Sequence, residues 1–330
     1  MTLLDAESVQ QFLRAHDLVG ADLPICVTSL AGGVSSVVLA VSQAGRRMVV
    51  KQARERLQVA DQWIAPPERS MVEADALAVA AAISPGHVPR VFARDAGAHI
   101  LVLECAPSGW RDWRTQLLEG IVDIPVSGQL GTLLASWHTH TMGLLPESLR
   151  SHGHWDALRV DPYYRTVASR RPLIAESVSE VLSEMGRRRV CMVHGDFSPK
   201  NILVGDDGLW VIDFEVAHLG DPTFDVAFLL SHLVLKSIHL PEKRALLDAC
   251  ITTFLGAYAT GGPTLCDFED PHYLFRQTGC LLVARVVGKS PVDYLTHAER
   301  VAVETLGTSL IVAPPPGLGR FLQRRDEVTK

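Results

Sequence analysis

The chain has no uninterrupted apolar stretch near the roughly 20 residues that a membrane span needs, and its longest runs, 226–235 and 280–284, stop well short. No basic run with interleaved aromatics occurs. Counts of 31 Lys+Arg against 37 Asp+Glu leave a net charge of −6, which argues against nucleic acid as a partner. The triplet Arg187-Arg188-Arg189 reads as a solvated entry to the strand before His194. No CxxC pair is present. Six cysteines, at 26, 105, 191, 250, 266 and 280, are scattered, which suits buried thiols in a reducing cytoplasm better than disulfides or zinc. MTLLDAESVQ lacks a basic n-region and a cleavable apolar segment, so no secretory leader is expected and the location expected is cytoplasmic. Neither an internal repeat nor a low-complexity linker is visible. Gly288-Lys289-Ser290 resembles the end of a phosphate-binding P-loop, but Val283 stands where the first glycine is needed. His138 and His140, two apart on a predicted helix, point about 200° apart and cannot share one ion. His152 and His154 read as surface loop histidines.

What is present is ample core: 47% of the 330 residues are hydrophobic, enough for one bilobal domain or two ordinary ones. Residues 1–20 read as an amphipathic helix with Val9, Phe12, Leu13 and Leu18 on one face. Strands are expected over 25–30, 34–41 and 47–51, then a helix from Pro66-Pro67 through about Ile83, then strands over 88–93 and 100–104. After Cys105-Ala106-Pro107 the pattern is mostly helical until Pro314-Pro315-Pro316-Gly317 and a polar tail. The fold class expected is α+β and bilobal: a small strand-rich lobe (1–104), a short hinge (105–109) and a larger, mainly helical lobe (110–330).

The most informative segment is HGDFSPKNILVGDDGLWVIDFE, His194 to Glu215. Residues 202–204 and 209–212 alternate as two short strands around a three-residue turn, Asp206-Asp207-Gly208, with glycine at the left-handed position. That register sets Asn201 and Asp213 opposite each other where the strands part, with Asp196 on the tight segment leading in. A carboxylate and an amide oxygen are hard ligands for Mg²⁺, and a separate Asp suits the proton of an attacking alcohol. Glu73, amid Met71, Val72, Ala74, Ala76 and Leu77, needs a cation, and Lys51 at the end of an apolar strand supplies one. A strand-end lysine reaching water is the alternative for Lys51.

HGDFSPKNIL followed by VIDFE resembles the catalytic and metal-binding motifs of the aminoglycoside phosphotransferase and choline kinase-like family, which has the protein-kinase fold. Lys51 through Glu73, including Lys-Gln-Ala and Arg69, is also similar to the corresponding stretch of 5-methylthioribose kinases. The resemblance implies ATP or GTP, Mg²⁺ and a small-molecule hydroxyl acceptor. It assigns Asp196 to orienting and deprotonating that hydroxyl, and Asn201 and Asp213 to the metal. Glu215 is implied at the metal, a bound water or the substrate. Gly32, Gly33, Ser35 and Ser36 correspond to the phosphate loop, Ser36 replacing the family's usual Asn; Gly-Gly between strands is also an ordinary hairpin. Lys51 is assigned to the phosphates and Glu73. The strand into Glu104, Cys105 and Ala106 offers backbone to the adenine. His194 is read as a brace of the loop, Asp221-Pro222 as a helix start, and Asp225 as a structural partner of the loop backbone.

Only 12 positions separate Asp213 from Asp225, and Gly195 stands where an arginine would sense activating phosphorylation, so a small acceptor is expected rather than a protein. Acceptor clues conflict. Asp267, Glu269 and Asp270 suit an amine, whereas Arg276, Arg285 and Lys289 suit an anion. Two rival readings stand beside this one: a catalytically silent kinase-like nucleotide-binding module, and a metal-dependent phosphohydrolase that would need further ligands.

Overall fold

A computed structural model describes residues 3–20, 23–30, 35–58, 63–143, 145–263 and 271–330. The small lobe is an antiparallel sheet in the order β1-β2-β3-β5-β4, built from β1 (Cys26–Ser29), β2 (Ser36–Gln43), β3 (Arg46–Ala53), β4 (Val91–Asp95) and β5 (Ile100–Glu104). Period-two alternation decides which helix covers which face. Val37, Leu39, Val41, Met48, Val50, Ile100 and Val102 form one cluster with Val9 and Leu13 of α1 (Ser8–Ala15). Leu101 and Leu103 point the other way, into the large core with Val72, Ala76, Leu77 and Ala80 of α2 (Arg69–Ile83). α1 is shorter than its apolar pattern suggests: Asp5 starts it by accepting the Ser8 N–H at 2.8 Å, and Asp17 at φ 55° ends it. β4 begins three residues later than expected, since Pro89 has no N–H for the ladder, and a register shift follows between Val91 and Ala93.

The large lobe is mainly helical: α3 (Trp113–Leu118), α4 (Ile124–His140), α5 (Ala175–Arg187), α6 (Thr223–His239), α7 (Arg244–Gly261), α8 (Pro271–Val287), α9 (His297–Val312) and α10 (Leu318–Val328) are its main helices. α6 is buried almost along its length, and no single helix among the described residues is long and apolar enough to cross a membrane. Short strands sit among the helices: β6 (Arg111–Asp112) pairs with β8 (Ile202–Gly205), β8 with β9 (Gly208–Val211), and β7 (Cys191–Val193) with β10 (His218–Gly220). Between α4 and α5, residues 156–165 wind as a π-helix, a form often retained at functional sites.

One expectation changes here. The β8–β9 turn has two residues, Asp206-Asp207, because Gly208 joins the ladder opposite Gly205. Gly205 is forced by packing: a Cβ there would meet the Trp110 ring at 2.2 Å. The arginine triplet leads into β7 as expected: Arg187 ends α5, Arg188 and Arg189 run on toward Cys191, and Arg187 and Arg188 reach back to Glu184.

α4 and α7 cross closely where α4 carries Gly131. A Cβ on Gly131 would lie 2.5 Å from the Phe254 carbonyl oxygen and 2.9 Å from the Ala257 Cβ. Gly131→Ala gains helix propensity of about 0.5–1 kcal/mol, but overpacking against backbone outweighs it. The expected result is a net loss of about 1–3 kcal/mol, read as a lower denaturant midpoint with an unchanged slope. An unchanged or raised midpoint would show that the two helices separate freely.

Candidate active site

The site is assembled on the loop that leaves β7. Asp225, wholly buried in the first turn of α6, accepts the His194 N–H at 2.7 Å and the Gly195 N–H at 2.9 Å. His138 of α4 stands 3.3 Å from the same carboxylate and 2.8 Å from the Tyr258 hydroxyl. Gly195 is required at this bend: its φ is 76°, and a Cβ would lie 2.7 Å from the Val216 carbonyl oxygen. His194 Nδ1 accepts the Asp196 N–H at 3.1 Å, which leaves the proton on Nε2 to donate to the Ile212 carbonyl at 3.2 Å. Burial pushes the imidazole pKa down despite nearby carboxylates. Both ring nitrogens thus brace the loop against the β8–β9 hairpin. Behind it, the Asp221 carboxylate accepts the Thr223 N–H at 2.9 Å just ahead of α6, whose N-cap residue is Pro222.

Asp196 is 4% exposed. Its Oδ2 receives Lys200 Nζ at 2.9 Å, Arg159 Nη2 at 3.1 Å and the Asn201 amide at 2.9 Å. Oδ1 carries none of these bonds and can accept one from a hydroxyl. Burial pushes the carboxyl pKa up, but Lys200 and Arg159 together outweigh it and hold the group below the ordinary carboxylate range. Arg159 also donates to the Gly195 carbonyl at 2.6 Å, so one guanidinium fixes both the carboxylate and the bend before it.

Lys51 of β3 bridges the lobes. Its ammonium lies 2.7 Å from Glu73 of α2 and 2.8 Å from Asp213, which follows the hairpin. Burial raises Glu73 to about 7 against the pull of Lys51, while for Asp213 burial is outweighed by the ammonium groups of Lys51 and Lys200, which hold it below the ordinary carboxylate range. Asp213 holds φ 70°, an uncommon conformation for a residue with a Cβ. Asn201 spends its amide nitrogen on the Asp196 carbonyl and carboxylate, which leaves its carbonyl oxygen as a ligand atom. Asp213 and Asn201 together fit Mg²⁺, a cation that takes few protein oxygens and completes its shell with phosphate and water.

Glu215 is engaged by Arg69, 1% exposed, whose Nε lies 3.0 Å away. The rest of that guanidinium donates to the carbonyls of Ala65 (3.1 Å), Pro66 (2.9 Å), Ser35 (2.5 Å) and Arg54 (2.8 Å). Arg69 therefore ties the end of the loop before β2, the entry to α2 and the Asp213–Glu215 strand end to one another.

A cavity of about 630 Å³ is lined by Ser35, Ser36, Lys51, Glu73, Glu104, Cys105, Ala106, Asp196, Asn201, Asp213 and Glu215. Gly32 and Gly33 lie outside the described residues, as do Asp267, Glu269 and Asp270. The Glu104 carboxylate is tied to Arg90 at 3.0 Å, so this segment offers a base chiefly its backbone. Val38, Val49, Leu103, Leu203 and Ile212 give the cavity apolar walls. Arg159 and Lys200 went unassigned from sequence. Lys200 stands four residues after Asp196 inside the motif, a spacing that could have found it; Arg159 has no local signal. Of the three cations grouped as an anion grip, Arg276 pairs with Glu180 and Lys289 with Asp161, and only Arg285 lines the cavity. His154 is not a surface histidine: it is buried and bonds the Ala217 carbonyl at 2.9 Å.

The model of the phosphotransferase enzyme family matches residues 27–258. The chain belongs to that family. The methylthioribose kinase of Enterobacter sp. (strain 638) is 25% identical over 63% of the chain and 59% of its own length. That of Yersinia enterocolitica is 26% identical over 75% and 69%. The chain thus spans about three-fifths of the Enterobacter protein's length. In fold, it is similar to a choline/ethanolamine kinase family protein from Mesorhizobium loti, with TM-score 0.54, 17% identity and 98% of each chain covered. It is also similar to an amicoumacin kinase solved with AMP-PNP and Ca²⁺, with TM-score 0.57, 15% identity, and 97% and 99% covered. The bilobal, protein-kinase-like fold of the family is the fold of this chain.

Arg69→Met removes the one cation within ion-pair distance of the buried Glu215 carboxylate among the described residues. It should cost about 3–5 kcal/mol, and Arg69→Met/Glu215→Gln should recover only the part due to the unpaired carboxylate, because the four carbonyls stay unmet. Urea midpoints of the single and double variants measure the coupling. Additive losses would mean that the pair is incidental.

Proposed function

We propose that the chain is an ATP- and Mg²⁺-dependent phosphotransferase that moves the γ-phosphate to a hydroxyl of a small molecule, with residues 1–104 and 110–330 as its lobes and 105–109 as the hinge. What carries this reading is the placement of Asp196, with one carboxylate oxygen left open, in the same cavity as Lys51 and the hard oxygen donors Asp213 and Asn201. Adenine would lie between the apolar walls against the backbone at 104–106. Lys51 would meet the phosphates, held in place by Glu73. Mg²⁺ on Asp213 and Asn201 would supply charge neutralisation on the phosphate oxygens.

In-line phosphoryl transfer asks more for positioning than for proton abstraction. A carboxylate held below its ordinary pKa is a weak base but a dependable acceptor, and Asp196 Oδ1 orients the hydroxyl for attack and takes its proton as the bond forms. Lys200 and Arg159 keep the carboxylate ionised, and Lys200 adds a positive charge beside the transferred group. Glu215 lines the cavity and is held by Arg69, and a role at the metal, a bound water or the substrate belongs to the same proposal. The acceptor is a hydroxylated small molecule; the relatives named for methylthioribose, and the neighbours in fold named for choline/ethanolamine and amicoumacin, support that breadth.

Asp196→Asn should bind AMP-PNP but lose about 10²–10⁴ in turnover, equivalent to roughly 3–5.5 kcal/mol of barrier. A coupled ADP assay across hydroxylated acceptors, with nucleotide titrations, measures both; undiminished turnover would remove Asp196 from the chemistry. The pH dependence follows from its cations. A carboxyl with depressed pKa is ionised above that value, so the acid limb from Asp196 falls below the ordinary 3.8 and activity persists from there to neutrality. Lys200→Met removes a charge that lowers the pKa, so the limb must move to higher pH. A stationary limb would assign it to another group.

A further inference from the structure

Around most of the cavity each ionised side chain has an opposite partner. Lys51 has Glu73 and Asp213, Arg159 and Lys200 have Asp196, and Arg114 has Asp293 at 2.5 Å. The side built by α6, α8 and residues 290–294 of the large lobe is different. Lys236 of α6 is wholly buried, and no carboxylate among the described residues lies within ion-pair distance of it. Its ammonium reaches only the His232 carbonyl of its own helix, at 3.5 Å, and the face of Tyr294, at 5.5 Å. Arg285 of α8 donates through Nη1 to the Tyr163 hydroxyl at 2.8 Å and to Ser290 at 3.2 Å, but its buried Nε–H has no acceptor. The Tyr294 hydroxyl is buried without a partner as well. All three residues line the cavity.

The carboxylates that act on Lys236 are already engaged. Asp112 caps α3 through the Thr115 N–H at 2.9 Å, and Asp293 holds Arg114. Burial, followed by the charges of Arg114 and Arg285, pushes the Lys236 ammonium down to about 7, and burial keeps the neighbouring His232 neutral. A buried ammonium and a guanidinium with unanswered donors are costly unless an anion joins them. The nucleotide phosphates do not answer this need, because the proposed site places them at Lys51 and the metal ligands. The chain linking the two places is short: the guanidinium carbons of Arg159 and Arg285 lie 5.5 and 5.9 Å from the centre of the Tyr163 ring, and Arg159 holds Asp196.

We infer that Lys236, Arg285 and Tyr294 form an oxyanion subsite for a carboxylate or phosphoryl group carried by the hydroxylated acceptor, one aromatic ring away from the reacting hydroxyl. This rests on the phosphotransferase reading of Asp196 and sharpens it. The acceptor is a compact hydroxy acid or hydroxylated phosphate ester. Amine-bearing acceptors are rejected, since their ammonium would meet two like charges.

The test uses the full chain with saturating Mg²⁺ and AMP-PNP, so that the triphosphate position is filled. Thermal unfolding is followed with inorganic phosphate, glycerate and glycerol 3-phosphate, against glycerol, serinol and chloride at matched ionic strength. The oxyanions should raise Tm with concentration, whereas glycerol, serinol and chloride should not; glycerate and glycerol 3-phosphate together show which anion is preferred. Lys236→Met, which replaces a buried charge by an apolar chain of similar length, should fold and should weaken oxyanion binding about ten- to hundredfold. Arg285→Gln should do the same. Asp196→Asn should keep the oxyanion shift while losing ADP release, which separates the subsite from the chemistry. An oxyanion shift in a chain that releases ADP with no acceptor leaves the subsite standing and removes the transfer reading. Equal shifts with chloride or in Lys236→Met overturn the subsite, and so does ADP release with glycerol or serinol alongside no oxyanion shift.

Discussion

Burying several carboxylates in one cleft is the constraint on which the rest of this structure turns. Glu73, Asp196 and Glu215 are nearly inaccessible, and Asp213 is only partly open. An ionised carboxylate in such surroundings costs several kcal/mol unless a cation and hydrogen bonds meet it. Each has its own answer: Lys51 between Glu73 and Asp213, Arg69 on Glu215, Arg159 and Lys200 on Asp196. Apart from Lys200, the cations come from parts of the chain distant from their partners, so charge compensation as well as packing joins the small lobe, the π-helical stretch and the hairpin. Lys51 is the one of these that crosses from sheet to hairpin, so the same ammonium the proposed function places at the phosphates also joins the two lobes.

Beneath the charged layer lies a neutral one that sets the loop geometry. Asp225 accepts two consecutive N–H groups at the bend, and His194 ties the bend to the hairpin through both ring nitrogens. Because α6 is sealed into the apolar core, its first turn is a fixed reference, and Asp225 transfers that rigidity to Asp196. Trp137 packs edge-on against Phe197 and Phe214, the aromatic residues beside Asp196 and Asp213, at 6.4 and 5.5 Å between ring centres. A single indole therefore fixes the spacing of two carboxylates that belong to separate loops.

Legibility in the sequence followed locality. The segment from His194 to Glu215 could be read because all its parts lie on one bend and one hairpin, where spacing nearly determines geometry. Lys51 and Glu73 could be read because a glutamate in an apolar helix demands a cation and the strand-end lysine is at hand. Arg159 could not, since it is brought to Asp196 by a π-helical stretch that has no residue pattern of its own. Arg276 and Lys289 looked equivalent to Arg285 in sequence, and only the fold pairs the first two with Glu180 and Asp161. The hairpin turn is one residue shorter than the pattern suggests because Gly208 pairs with Gly205, and the need for glycine at 205 comes from Trp110, nearly a hundred residues upstream.

The same accounting distinguishes the two halves of the cavity. Around Lys51 and Asp196 the protein's own charges nearly balance, so under the proposed reading a Mg²⁺–triphosphate complex would meet a cation already oriented by acids, with little reorganisation. On the large-lobe side Lys236 has no carboxylate partner among the described residues, and the Arg285 Nε–H and the Tyr294 hydroxyl have no partner. A structural lysine in that position would be better replaced by methionine, and a solvating one would reach water; Lys236 does neither. Charge left unanswered inside an otherwise compensated cleft marks the part of the site that the protein expects its ligand to complete.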